Sequence, residues 1–326
     1  MLQELVYVVT LPDPATKTLG AEHLYIQINE YFIKLNGTGK ENNMGYTKEQ
    51  LEKMVCSADY RERAKAARAG YGLERLVSDE HYSVRRYVAK QGFGLDVLIH
   101  DEDEFVRAEV ALKGHGLDKL VKDPHPSVRA CVASMGYGLD VLIHDKSAEV
   151  RAAVAQQGYG LDILVNDTEE DVQISVARQG YSLERFVQND SANVRFAVAE
   201  MGYGLDVLVN DQNSVVRMAV ARQGFGLDVL VNDEDDEVRA AVAEQGYGLD
   251  KLVMDASAYV RAEVARQGYG LDVLLNDKHE GVRNIARQMF KRMNGKLVDE
   301  VLADAKARSA DVRACDVLNR VLFEKE

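Results

Sequence analysis

The sequence predicts a mainly α fold: a solenoid of ten tandem 22-residue two-helix repeats, with terminal caps and a small N-terminal β module. Three observations predict it: a strict period, helical spacing of the apolar positions inside that period, and capping residues around the longer segment. Glycines 70, 92, 114, 136, 158, 180, 202, 224, 246 and 268 stand 22 residues apart, so ten copies run from Gly70 to Met289. A period between about 20 and 50 residues marks an array of stacked units that cannot bury their apolar faces alone.

Offsets are counted here from each opening glycine as zero. Leu fills offset 3 in every copy, offset 6 is Leu except for Phe186, and offset 7 is Val, Ile or Leu. In the copy "GFGLDVLVNDEDDEVRAAVAEQ" this puts Leu227, Leu230 and Val231 at i, i+3 and i+4, on one helical face. A strand would set offset 6 beside the acidic offset 4 and opposite offsets 3 and 7. A leucine-rich-repeat strand therefore fits less well.

The second half follows the same rule, with Val238, Ala241, Val242 and Gln245 at offsets 14, 17, 18 and 21. Asp103, Ser147, Ser191, Asn213, Asp235 and Ser257 occupy offset 11, where a side-chain oxygen caps a helix start. Pro126 then falls on the first helical position, where its missing N–H costs nothing. The next glycine suits the left-handed position after the helix, and the aromatic at offset 1 packs back over the last turn. Each repeat thus reads as a helix of about ten residues and another of about six. Helices this short are marginal alone. Stacked neighbours at ~8–10 Å give an array on the order of 100 Å long.

The flanks read as caps. Residues 47–69 keep Leu51, Met54, Val55 and Arg63 in register but place Glu62 where Val recurs, as a solvent-facing end requires. Residues 290–326 read as a C-terminal helical cap with two longer amphipathic helices. In residues 1–46, "ELVYVVTL", "HLYIQI" and "EYFIKL" alternate like strands and read as the β module.

Net charge is −13 over 326 residues, which argues against a basic nucleic-acid footprint and direct nucleic-acid binding. No apolar run approaches the ~20 residues that span a bilayer. "MLQELVYVVT" has no basic flank and does not read as a secretory signal. With Cys56, Cys131 and Cys315 far apart, the expectation is reduced thiols and a cytoplasmic protein. No histidine stands at ligand spacing from carboxylates or cysteines, and no acid, base and nucleophile group together. No catalytic residue, metal or cofactor is therefore expected.

Two charged rows recur. Arg fills offset 15 and Asp offset 9 in nine of the ten copies each, including Asp211, Arg217, Asp233, Arg239, Asp255 and Arg261. Guanidinium and carboxylate pair bidentately, so this row reads as a structural ladder bridging turns. Gln173 and Asn189 replace both charges in adjacent copies, 16 residues apart, which fits mutual pairing. The second row is offset 4, always Asp or Glu, where an acid also complements a helix N-terminus. Together the rows supply most of the net charge, so acidity alone is weak support for nucleic-acid mimicry.

"LVNDEDDEVRAAVAEQ" resembles the core of the leucine-rich-repeat variant and, more loosely, short HEAT-like repeats. The resemblance covers residues 70–289 and, more weakly, the flanks. It implies a right-handed α-solenoid that binds other macromolecules, with the second helix of each pair on the concave face. The 22-residue period and the Gly-aromatic-Gly turn depart from those families. The iron–sulfur domain of some variant-repeat proteins is not implied, because its cysteine cluster is missing. By that analogy the short helices present Asp140, Asp162, Glu184, Asp206, Asp228, Asp250 and Asp272 inward. Val207, Val229 and Lys251 at offset 5, and Asn210 and Asn232 at offset 8, lie beside them. The expected function is a non-enzymatic scaffold holding a basic protein partner on an acidic concave surface. The alternatives are a nucleic-acid mimic that inhibits a nucleic-acid-binding protein and, less well supported, a HEAT-like nucleic-acid enzyme.

Overall fold

The computed structural model describes the backbone of residues 45–307 and the side chains of residues 45–293. Residues 1–44 of the expected β module and the last expected C-terminal helix lie outside the described residues. Among the described residues every regular element is a helix. The chain divides into two compact units, Met1–Tyr137 and Gly138–Glu326.

The first unit stacks helix pairs: Lys48–Val55 with Tyr60–Arg68, Leu73–Leu76 with Tyr82–Lys90, Leu95–Leu98 with Glu104–Leu112, and Leu117–Leu120 with Pro126–Ser134. The second unit repeats the alternation of short and long helices from Leu139–Leu142 to Glu280–Ala307. Within each unit successive long helices pack side by side, as Asp236–Glu244 does on Ala258–Arg266. This is solenoid packing. Glu280–Ala307 passes without a break through residue 289, where the sequence suggested the repeats end and a separate cap begins.

The local signals explain the elements. Asp235 accepts the Glu237 N–H at 2.9 Å and starts Asp236–Glu244, the nine-residue long helix. The preceding long helix ends in a Schellman turn, with Gly224 N–H donating to Ala221 O at 2.8 Å and Phe225 N–H to Val220 O at 3.3 Å. Gly224 sits there at φ +75°. The short helices span four residues, not about six. After Leu227–Leu230, the N–H groups of Asn232 and Asp233 bond to Val229 O and Leu230 O, three residues back. That tighter winding ends the helix and turns the chain into the next long one.

The core is one layer of these faces. Leu230, Val238, Val242 and Ala243 are fully or almost fully buried. Each Leu or Val so buried contributes about 1.5–3 kcal/mol. Gln245 shares the spacing of the apolar face but is exposed. Its equivalents Gln223 and Gln267 donate Nε2–H to Glu200 O at 3.0 Å and Glu244 O at 3.2 Å, in the preceding repeats. These amides satisfy carbonyls that a helix end leaves without a partner.

The charged ladder crosses from repeat to repeat. Arg217 donates Nε–H and an Nη2–H to the two carboxylate oxygens of Asp233, at 2.7 and 2.8 Å. Its Nη1 donates to Asp211 O at 2.7 Å, and Asp233 also accepts the Asp235 N–H at 2.9 Å. The same bridge joins Arg195 to Asp211, Arg239 to Asp255 and Arg261 to Asp277, with closest N···O distances of 2.6–2.7 Å. In the first unit it joins Arg63 to Asp79, Arg85 to Asp101 and Arg107 to Asp123. At the exceptional step, Asn189 Nδ2–H donates to Gln173 Oε1 at 2.9 Å. A neutral bridge replaces the ionic one.

Burial opposes ionisation of Asp211. Hydrogen bonds from Arg195 and the Asn213 N–H, with attraction from Arg195 and Arg217, outweigh it and hold the carboxyl below its ordinary range. Asp255 is held down in the same way by Arg239 and the Ser257 N–H, and Asp277 chiefly by its bond from Arg261. A carboxyl depressed on folding contributes all its stability above its unfolded value, near pH 3.9, and loses it as pH falls through the lower folded value. The thermal midpoint followed by circular dichroism is expected to change little between about pH 7 and 5 and to fall steeply below about pH 4. A midpoint unchanged at about pH 2 would contradict the depressed values.

Candidate functional site

The short helices of the second unit carry one surface with a fixed composition. Each opens with a left-handed residue at offset 2, usually Gly, as Gly226 at φ +62°. Four α-helical residues follow, or the three-residue 3-10 turn Leu183–Arg185 after Ser182; the second (offset 4) and third (offset 5) point to solvent. The structure places Asp140, Asp162, Glu184, Asp206, Asp228, Asp250 and Asp272 there, all exposed. Among the described residues none of these seven acids forms a salt bridge.

Offset 5 lies beside this row. Val141, Ile163, Val207, Val229 and Val273 are 45–60% exposed, a large fraction for aliphatic side chains. Arg185 and Lys251 interrupt them. Both reach to offset 8 of the preceding repeat: Arg185 Nη2–H donates to Asn166 Oδ1 at 3.1 Å, and Lys251 Nζ–H to Asn232 Oδ1. Asn210 and Asn232 lie just beyond the short helices, in the turns, and are exposed.

A third row belongs to the same surface, and the sequence reading left it out. Tyr159, Tyr203, Phe225, Tyr247 and Tyr269, at offset 1, are 41–42% exposed. Each stands 19 residues after an acid of the preceding repeat. In the first unit this relation is a direct contact: Tyr71 Oη–H donates to Glu52 Oε2 at 2.7 Å, and His115 Nε2 lies 3.0 Å from Asp96 Oδ1. In the second unit a cavity of about 530 Å³ is lined by Glu184, Arg185 and Gln188 from one repeat and by Tyr203, Asp206 and Val207 from the next. At this step, offsets 4, 5 and 8 of one repeat share a groove with offsets 1, 4 and 5 of its successor. The spacing of 19 was the signal available in the sequence.

The ladder residues Asp211, Arg217, Asp233, Arg239, Asp255 and Arg261 are held in the bridges described above, mostly buried. Their side chains bond to one another and to nearby backbone groups, as Arg217 does to Asp233 and to Asp211 O. Among the described residues no group of three or more His, Cys, Asp or Glu is placed to hold a metal ion. No helix among them is long and apolar enough to cross a membrane.

Neither a family model nor a curated protein matches the chain. The likeness that stands is architectural: paired helices stacked as in a HEAT-type α-solenoid.

Proposed function

We propose that this protein is a non-enzymatic interaction scaffold whose second unit binds a basic protein segment along its short-helix face. The observation that carries the reading is the row of seven exposed acids, one per repeat, without a salt bridge among the described residues. Exposed aliphatic and aromatic rows flank it. Carboxylates held apart on a rigid array meet an incoming cation without first breaking an internal pair. The apolar rows supply contact area that charge alone lacks, and exposed apolar surface rimmed by polar groups is a mark of interaction sites. A stacked-helix array offers an extended surface, the geometry typical of binding solenoids.

The test uses a labelled Lys/Arg-rich peptide of about 20 residues, an acidic peptide of equal length and duplex DNA, read by fluorescence anisotropy. The basic peptide is expected to bind, and the other two are not. Exposed ion pairs contribute about 0.2–1 kcal/mol each. Reversing Asp206, Asp228 and Asp250 together to Lys replaces attraction by repulsion and should weaken binding by about 10-fold or more. Unchanged affinity in that triple variant would remove this face from the site, and binding of DNA in preference to the basic peptide would reverse the assigned partner.

A further inference from the structure

Offsets 10 to 13 vary most from copy to copy, and in the first unit they gather aromatic rings. Tyr60 and His81 stack with centroids 3.7 Å apart and planes 6° apart. Tyr82 follows at 5.0 Å from His81, and Phe105 at 6.3 Å from Tyr82. Each ring stands at the start of a long helix, so the row crosses from Tyr60–Arg68 to Tyr82–Lys90 to Glu104–Leu112. His81 is pinned in it because it caps Tyr82–Lys90: its Nδ1 accepts the Ser83 N–H at 3.2 Å. Rings held in this way lose little freedom when something binds them.

The row is open at one end and occupied at the other. The Arg61 guanidinium lies 5.6 Å from the Tyr60 ring centroid, within the ~6 Å over which a ring face attracts a cation. Tyr82 and Phe105 are 41% and 49% exposed. Beside Tyr82 a cavity of about 360 Å³ is walled in part by Glu80, Glu102 and Glu104. Arg85, also on its wall, already gives Nε–H and an Nη2–H to the two carboxylate oxygens of Asp101. Glu102, 3.4 Å from Arg85 and largely exposed, is only a secondary partner to it. Glu80 stands in the same relation to Arg63, whose fork is filled by Asp79. Both carboxylates can turn to an incoming cation without leaving an arginine unpaired.

We propose that this row is a second recognition surface, separate from the short-helix face, and that it selects arginine. Charge complementarity and the Arg61 contact name the occupant: an arginine-bearing segment of another protein. Its guanidinium lies on the exposed rings of Tyr82 and Phe105, and Glu80, Glu102 and Glu104 accept its N–H groups. A guanidinium is planar, weakly hydrated and able to stack on a ring while donating in its plane, whereas an ammonium is a compact and strongly hydrated charge. Variable residues on a constant frame are where such selectivity is carried.

The test uses the full chain carrying Asp206→Lys, Asp228→Lys and Asp250→Lys, which takes the short-helix face out of the readout. Two labelled peptides, Gly-Arg-Gly-Arg-Gly-Arg and its lysine counterpart, are titrated by anisotropy. The arginine peptide should bind about 5-fold tighter. Adding Tyr82→Ser and Phe105→Ser, both at exposed positions, should bring the two peptides level. Adding Glu102→Gln and Glu104→Gln instead should weaken both by about 3-fold or more, with the preference for arginine kept. Circular dichroism of each variant separates lost binding from a lost fold. Equal affinity of the two peptides before any ring is changed overturns the selection of arginine. A preference that survives removal of both rings, or affinity unmoved by loss of the carboxylates, overturns its placement here. Failure of both peptides to bind overturns the second surface and leaves the short-helix reading to its own test.

Discussion

Asp233→Ala is expected to lower stability by about 3 kcal/mol, the low end of the range for breaking a buried ion pair. The carboxylate takes two hydrogen bonds from Arg217 and one from the Asp235 N–H. Removing it leaves a guanidinium, about a tenth exposed, with two orphaned donor groups. Glu234 Oε1, 3.8 Å from Arg217 Nη2, offers a poor, solvent-facing substitute and keeps the loss at the low end. The chain itself supplies a second arm for the experiment. Gln173 and Asn189 bridge equivalent positions without charge, so Arg217→Gln/Asp233→Asn should cost only about 1 kcal/mol, because a matched neutral pair owes no desolvation of ions. Urea denaturation of Arg217→Gln, Asp233→Asn and the double closes the cycle. Coupling near zero would mean that the two side chains are independent, contrary to their geometry.

That neutral bridge also shows what the sequence made legible. The loss of Arg at 173 and Asp at 189 could be read as one compensated event, because a strict repeat turns every departure into a signal. Capping residues likewise located the long helices, since Asp235, Asn213 and Ser257 act through bonds to residues two positions on. Helix lengths were less legible. The short helices stop at offset 6, and the N–H groups of offsets 8 and 9 bond three residues back, as Asn232 and Asp233 do, which no residue type in the run announces. The candidate face was half legible. Its acids and aliphatics follow from helical spacing, whereas the aromatic row joins it through stacking of one repeat on the next, which a reading confined to one repeat does not capture.

The glycine at offset 2 is another feature whose reason lies in the neighbouring repeat, and its replacement is the second large expected effect. Gly226→Ala should cost about 2–5 kcal/mol. Its φ of +62° is a left-handed conformation that disfavours a side chain by about 1–2 kcal/mol. A β-carbon there would also lie 2.5 Å from Val209 Cγ2, inside the van der Waals limit, and overpacking of this kind costs about 1–3 kcal/mol. Gly224→Ala separates the two contributions, because Gly224 has nearly the same backbone, φ +75°, with nothing within 4 Å of an added β-carbon. It should cost only about 1–2 kcal/mol. Equal losses in the two variants would show that the approach of offset 2 to the preceding repeat plays no part. The chain carries its own version of this substitution: Ser182 occupies offset 2 with φ +49°, and the segment after it, Leu183–Arg185, winds as a 3-10 turn where the other described repeats have α-helix. Gly226→Ala should push Leu227–Leu230 the same way, and weaker amide protection at Leu230 than at Val231 in hydrogen exchange would report it. Leu230 N–H bonds to Gly226 O, four residues back, whereas its counterpart Phe186 bonds to Leu183 O, three back, and Val187 keeps the four-residue bond that Val231 makes.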